Sequence, residues 1–203
     1  MNFYHDLVTS KSWELLKKLK QDYDFILIGG WAVFLYSQAL KSKDIDLIVE
    51  YNQLGKLKEE FEVSKNGRLR KYEAKTAETE IDIYVPFYSN PGLPVELLKE
   101  YTQVVDGFTT VEKEILVILK QKALLERKNT LKGRKDLADL ISLFRLPDFD
   151  WQKYKKAIVK HKLDESLVLV QEIVRRTTKI EELGMNVHQM ARFKKKILDL
   201  MEK

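Results

Sequence analysis

The chain has 203 residues, 44% of them hydrophobic and 33% charged, enough for one sizeable core or two small domains. It has no cysteine and three scattered histidines, His5, His161 and His188, which excludes a disulfide scaffold, a thiolate metal site and a cysteine nucleophile and leaves no zinc-ligating spacing. The net charge of +5 divides unevenly, with 14 Lys/Arg against 17 Asp/Glu in residues 1–110 and 22 against 14 in residues 111–203, so the rear half either meets a polyanion or merely carries solubilising lysines.

The N-terminal MNFYHDLVTSKSW lacks a basic-then-apolar leader, and no apolar run approaches the roughly 20 residues of a membrane span. No membrane association and a cytoplasmic location are therefore the expectation. Thr9 and Ser10 are candidate N-caps for a helix in which Trp13, Leu15, Leu16 and Leu19 recur at helical spacing. FILIG (25–29) reads as a buried strand ending in Gly-Gly, WAVFLYSQAL (31–40) as a helix packed on it, and IDLIVE (45–50) as a second strand. A helix through 54–61 follows, then paired strands in RLRKYEAK (68–75) and TEIDIYVPF (79–87). SNPGLP (89–94) breaks the pattern.

From Thr109 the chain reads as helical. Thr109 and Glu112 have capping-box spacing ahead of EKEILVILKQKALLERK, and LADLISLF (137–144) continues until Pro147. Asp150 is placed to cap WQKYKKAIVKHK, and SLVLVQEIVRR (166–176) and residues 188–203 complete the series. The expected division is an α/β domain over residues 1–108 and a helical domain over 109–203.

Three Asp-x-Asp pairs occur. Asp22/Asp24 and Asp148/Asp150 precede a strand and a helix and read as turn and capping residues. Asp44 and Asp46 sit at the mouth of an apolar strand, where residues two apart project to one face. Two such carboxylates repel unless a cation neutralises them, and an all-oxygen donor set suits Mg²⁺. Gly29-Gly30, at a strand-to-helix junction, is either an ordinary tight turn or a place where backbone N–H groups approach a phosphate. Alternation in EIDIY puts Glu80 and Asp82 opposite Ile81 and Ile83, either as solvated acids or as a third active-site carboxylate.

In this order the three features resemble the DNA polymerase β-like nucleotidyltransferase superfamily. GGWAVFLYSQALKSKDIDLIV is similar to the minimal nucleotidyltransferases of the AbiEii toxin group, whose pattern is Gly-Gly followed by Arg/Lys-Ser/Thr-x-Asp-Ile-Asp. The resemblance implies that Asp44, Asp46 and Asp82 are the catalytic and metal-binding carboxylates. It places Gly29, Gly30, Lys41 and Ser42 at the nucleotide. Trp31 stands where a small hydroxyl residue is common, which removes one phosphate contact. ILKQKALLER and KGRKDLADLISL are similar to that group's helix Lys followed by Lys/Arg-Asp-Leu-x-Asp-Leu, which assigns Lys122, Lys135 and Asp136 to the nucleotide as well; the alternative is helix-surface pairing of Lys132 with Asp136 or Lys135 with Asp139. The likeness covers residues 25–145 and is silent beyond 147.

The implied fold is α+β: a small polymerase β-like mixed sheet with flanking helices, followed by a C-terminal helical bundle completing the cleft. The implied activity moves an NMP from an NTP to an acceptor hydroxyl with two Mg²⁺ ions, or Mn²⁺, at the three aspartates. The favoured acceptor is RNA, specifically a tRNA 3′ end, met by lysines 153, 155, 156, 160, 162 and 194–196. A small aminoglycoside-like acceptor, or a binding protein without turnover, stays open. Phe149, Trp151 and Tyr154 are read as a docking surface for a partner such as a cognate antitoxin.

Overall fold

A computed structural model describes residues 6–77 and 79–202. The chain divides between Glu112 and Lys113 into two compact units. In the first, α1 (Asp6–Asp22) leads into β1 (Ile26–Ile28), α2 (Gly29–Ser37), β2 (Ile45–Ile48), α3 (Tyr51–Glu60), β3 (Val63–Asn66), β4 (Lys71–Lys75) and β5 (Glu80–Tyr84). A short helix α4 (Val95–Leu98) and a 3₁₀ turn then precede β6 (Thr102–Val105) and β7 (Phe108–Val111). The strands form one mixed sheet in the order β3-β4-β5-β2-β1-β7-β6. This is the α+β class expected from the sequence.

Strand alternation sets the two faces. Leu27, Leu47 and Ile83 pair across β1, β2 and β5, and all three are fully buried, as are Ile45 and Ile81 two residues away. The next row across the sheet is Ile28, Asp46, Asp82 and Glu73, so a polar row lies beside an apolar one on the opposite face. Helix α2 packs on β1 and β2. Its Trp31 is 1% exposed, stacks near Trp13 of α1 with ring centroids 4.9 Å apart, and donates its indole N–H to Ser12 Oγ at 2.8 Å. Trp31 thus joins α1 to α2.

Several elements differ from expectation. Thr9 and Ser10 lie inside α1, which begins at Asp6; Thr9 Oγ1 donates to the Asp6 carbonyl. Residues 109–111 form strand β7, not a capping box, and the helix begins at Lys113. Asp106 and Gly107, both at positive φ, turn the chain between β6 and β7, the geometry a two-residue hairpin requires.

The second unit contains α5 (Lys113–Arg127), α6 (Leu131–Phe144), α7 (Trp151–Lys160), α8 (Asp164–Arg176) and α9 (Val187–Glu202). Thr130 caps α6 by accepting from the Gly133 N–H, and Asp150 caps α7 as its position predicts, accepting from the Lys153 N–H at 2.9 Å. Phe149 and Tyr154 are buried and form an aromatic cluster with Phe144 and half-buried Trp151. Of the aromatics expected to form a docking surface, Phe149 and Tyr154 are therefore core, and only Trp151 keeps part of its surface open. Among the described residues no helix is long and apolar enough to cross a membrane.

Candidate active site

The site in the first unit begins where β1 becomes α2. Gly29 takes a φ of +69°, and a Cβ built on it would lie 1.9 Å from Asp46 Oδ2. Only glycine fits so close to the carboxylate while holding a left-handed backbone. Gly30 is buried directly behind it. The first turn of α2 lacks a side-chain cap, so the amides of the turn that touches Asp46 have no side-chain acceptor from their N-cap.

Asp46 and Asp82 are register partners on parallel strands β2 and β5. Their side chains therefore emerge on one face. Asp44 lies two residues before Asp46, just outside β2, with its side chain 20% exposed and Lys43 Nζ 3.8 Å from its Oδ1. The Tyr84 hydroxyl lies 3.5 Å from Asp46 Oδ1, at the far limit of a hydrogen bond. Ser42 is buried and Lys41 exposed.

Two residues that sequence reasoning passed over complete the row. Lys71, at the start of β4, places Nζ 2.6 Å from Asp82 Oδ2 and 3.1 Å from Glu73 Oε1. Asn66 Nδ2 donates to the same Glu73 oxygen at 3.0 Å. Burial works against the Glu73 carboxylate, but the hydrogen bonds from Lys71 and Asn66 outweigh it and hold its pKa below the ordinary value. Burial also lowers the Lys71 ammonium, yet Asp82 and Glu73 beside it hold it above its usual range. Asp82 is pushed up, by burial first; Lys71 pulls the other way, and Glu73 and Asp44 add to the rise. One ammonium among these carboxylates leaves negative charge in surplus, which adds to the rise that burial causes at Asp82.

That surplus is the test of fit for a divalent cation. The donors are hard oxygens of the kind that Mg²⁺ or Mn²⁺ takes, and Asp44 and Asp46 are the carboxylates beside the Gly29 turn that fit such an ion. Among the described residues, however, no three acidic or histidine side chains converge closely enough to hold a metal. Asp82 is already engaged by Lys71. The row thus fits a cation at its Asp44–Asp46 end and carries its own at the Asp82–Glu73 end.

In the helical unit Lys122 is exposed and pairs with Glu126 one turn on, at 3.2 Å. Lys135 is buried and binds Asp139 at 2.9 Å, the i,i+4 pair the spacing offers but inside the unit instead of on its surface. Asp139 also accepts from Lys120 at 2.7 Å. Asp136 accepts from Lys120 at 3.4 Å and, through both oxygens, from Arg127 Nε and Nη2 at 2.6 and 3.0 Å. Burial would raise the Asp139 carboxyl, but Lys120 and Lys135 hold it below the carboxylate range. Burial, with Lys120 adding, lowers the Lys135 ammonium against the pull of Asp139. All the acidic oxygens of this cluster thus face cations of the chain itself.

A second feature of this unit lies at the end of α6. Leu146, Pro147, Phe149, Trp151, Phe193, Ile197 and Leu200 line a recess of about 270 Å³, with Arg145 and Lys196 exposed at its rim.

No protein-family model matches the chain. No curated protein sequence matches it either. Solved structures do: a candidate nucleotidyltransferase from H. pylori superposes with a TM-score of 0.56 at 16% identity, covering 97% of this chain and 94% of that one. JHP933 from Helicobacter pylori gives 0.53 at 17% identity, covering 98% and 96%. At such identity the likeness concerns the backbone alone: the chain shares the α+β fold of these structures.

Proposed function

We propose that the protein transfers an NMP from an NTP to an acceptor hydroxyl, which loses its proton as pyrophosphate leaves, with RNA as the acceptor class. The observation that carries the reading is the in-register pair Asp46 and Asp82, set against the Gly29 turn that opens α2. A helix N-terminus without a side-chain cap suits phosphate, and the adjacent carboxylates suit the cation that accompanies it. Asp44 and Asp46 hold that cation, which when bound offsets triphosphate charge and lowers the pKa of an attacking hydroxyl. Gly29 and Gly30 let the triphosphate come close to backbone. Lys41 and Ser42, just ahead of Asp44, add a cation and a hydroxyl donor to the phosphates. Asp82 accepts the proton of the incoming hydroxyl, a role its raised affinity for protons favours.

RNA as acceptor, with a tRNA 3′ end as the specific case, is supported by the basic balance of residues 111–203, 22 Lys/Arg against 14 Asp/Glu. The aromatic recess adds to it: Trp151 and Phe193 offer faces for a base, and Arg145 and Lys196 stand ready for its phosphates. Lys122 remains available at the surface for the same purpose, whereas Lys135 and Asp136 serve it only by holding α5 and α6 in place.

The test is incubation with each labelled NTP, Mg²⁺ and total RNA, followed by separation of the labelled species. Label is expected on RNA with the natural chain and on nothing with Asp46→Asn. Transfer that survives Asp46→Asn refutes the site, and label on a small hydroxylated acceptor in place of RNA refutes the acceptor class.

A further inference from the structure

We infer that Lys71 is a built-in cation that takes the place of a second metal ion at Asp82, so that the site loads one divalent ion per chain. The inference rests on the nucleotidyl-transfer reading and narrows it. A second ion at Asp82 needs a carboxylate oxygen turned to it and a vacancy of charge beside it. Here one Asp82 oxygen is already taken and the place beside it already holds a cation. Lys71 Nζ already takes Asp82 Oδ2 at 2.6 Å, a short charge-assisted contact.

The lysine is also held from behind. Glu73 binds the same Nζ at 3.1 Å and is itself fixed by Asn66 at 3.0 Å. Glu73 and Asp82 are cross-strand partners, as are Lys71 and Asn66. The ammonium is therefore seated by the register of β3, β4 and β5, not by the chance reach of a surface side chain. Its side chain is only 11% exposed, so water offers it little in exchange for leaving. Displacing it would strand a buried ammonium and set Glu73 beside Asp82 with nothing between them.

The positions differ in kind along the row. Asp44 and Asp46 lie toward the glycine turn, where the Lys43 ammonium stands 3.8 Å from Asp44 Oδ1. Asp82 and Glu73 lie toward the sheet edge, where Lys71 stands at 2.6 and 3.1 Å. A fixed ammonium supplies electrostatic relief without coordination, so it does not template a second oxygen as a metal ion does.

The experiment is electron paramagnetic resonance of Mn²⁺ bound to the full chain with a non-hydrolysable NTP analogue. Two ions about 4 Å apart, the spacing of two-metal sites, give an exchange-coupled spectrum, and a lone ion gives a six-line one. The natural chain is expected to give the lone-ion spectrum, Lys71→Met the coupled one, and Lys71→Arg the lone-ion one again. A coupled pair in the natural chain overturns the inference, with no need for any variant to fold. So does a lone ion in folded Lys71→Met. If Asp46→Asn leaves Mn²⁺ binding unchanged, the nucleotidyl-transfer reading itself fails, which separates the two outcomes.

Discussion

Replacing Gly29 with alanine tests the candidate site at its tightest point. The added methyl would stand 1.9 Å from Asp46 Oδ2, 2.4 Å from Cγ and 2.7 Å from Cβ. Because even Cβ of the aspartate falls inside contact distance, turning the carboxylate about its side-chain torsions does not clear the clash. Either β2 or the opening turn of α2 has to move, by roughly 1.5 Å to restore an ordinary contact. A non-glycine residue at φ +69° adds about 1–2 kcal/mol of backbone strain, and the steric part adds about 1–3 kcal/mol. The expected loss of stability is therefore about 2–5 kcal/mol by urea unfolding. A displacement of about 1 Å at a reacting group costs on the order of 10²-fold in rate, so NMP transfer should fall at least that far in protein that remains folded. Gly55→Ala is the control: it lies in α3 with nothing within 4 Å of the new methyl, and should leave transfer unchanged while raising stability by up to about 1 kcal/mol. A Gly29→Ala protein with natural stability and natural transfer would refute the geometry on which the site is built.

Other outcomes can be measured separately. Asp139→Asn removes the charge that answers Lys120 and Lys135 in the interior of the helical unit, and should cost about 3–5 kcal/mol in denaturant midpoint analysis; a loss below about 1 kcal/mol would mean the cluster is dispensable. Tyr23 donates to Glu60 Oε2 at 2.6 Å, and burial, then that hydrogen bond and the Glu60 charge, raise its pKa from 10.0 to about 12. Because the folded state holds this proton more tightly, the contribution is complete below pH 10 and is lost as pH rises toward 12. The stability gap between the natural chain and Tyr23→Phe should therefore narrow across that window, and a gap that widens contradicts the assignment. Lys196→Glu and Trp151→Ala should both weaken RNA retention, and only the former should lower the slope of log affinity against log salt, by about one or more; RNA binding untouched by either removes the recess from the acceptor path.

How much of this was legible in the sequence depends on how far apart the cooperating residues lie. FILIGG announces β1 and the turn into α2, because a short apolar run followed by two glycines leaves few other structures open. IDLIV and EIDIY announce β2 and β5 by alternation, and with them the side of the sheet on which Asp46 and Asp82 emerge. The β3 strand, VSKN, was not legible, since an edge strand with two solvated faces has no alternation to display. The β6–β7 hairpin was legible and passed over: Asp106-Gly107 between Val105 and Phe108 is a strong hairpin signal, eclipsed by the helical run that follows. Lys71 and Glu73 could not have been chosen from RLRKYEAK, where five of the eight residues are charged. Their importance comes from the register that lays β4 against β5, and register is a property of pairing between distant segments. The buried state of Lys135 and Asp139 was hidden for a similar reason: the spacing gives the pair but not which face of α6 turns inward.

The cluster of Lys120, Arg127, Lys135, Asp136 and Asp139 has a consequence for how α5 and α6 find each other. Both helices are apolar enough to pack in more than one axial alignment, because leucine and isoleucine surfaces distinguish poorly between neighbouring turns. Sliding α6 along α5 by one turn, about 5.4 Å, would carry Asp136 and Asp139 away from Lys120, now 3.4 and 2.7 Å distant, and leave two carboxylates in the interior without it. The alternative alignments are thus penalised far more than the correct one is favoured. The ion cluster acts as a key cut for one position of the lock, making the helix pair choose a single setting during folding.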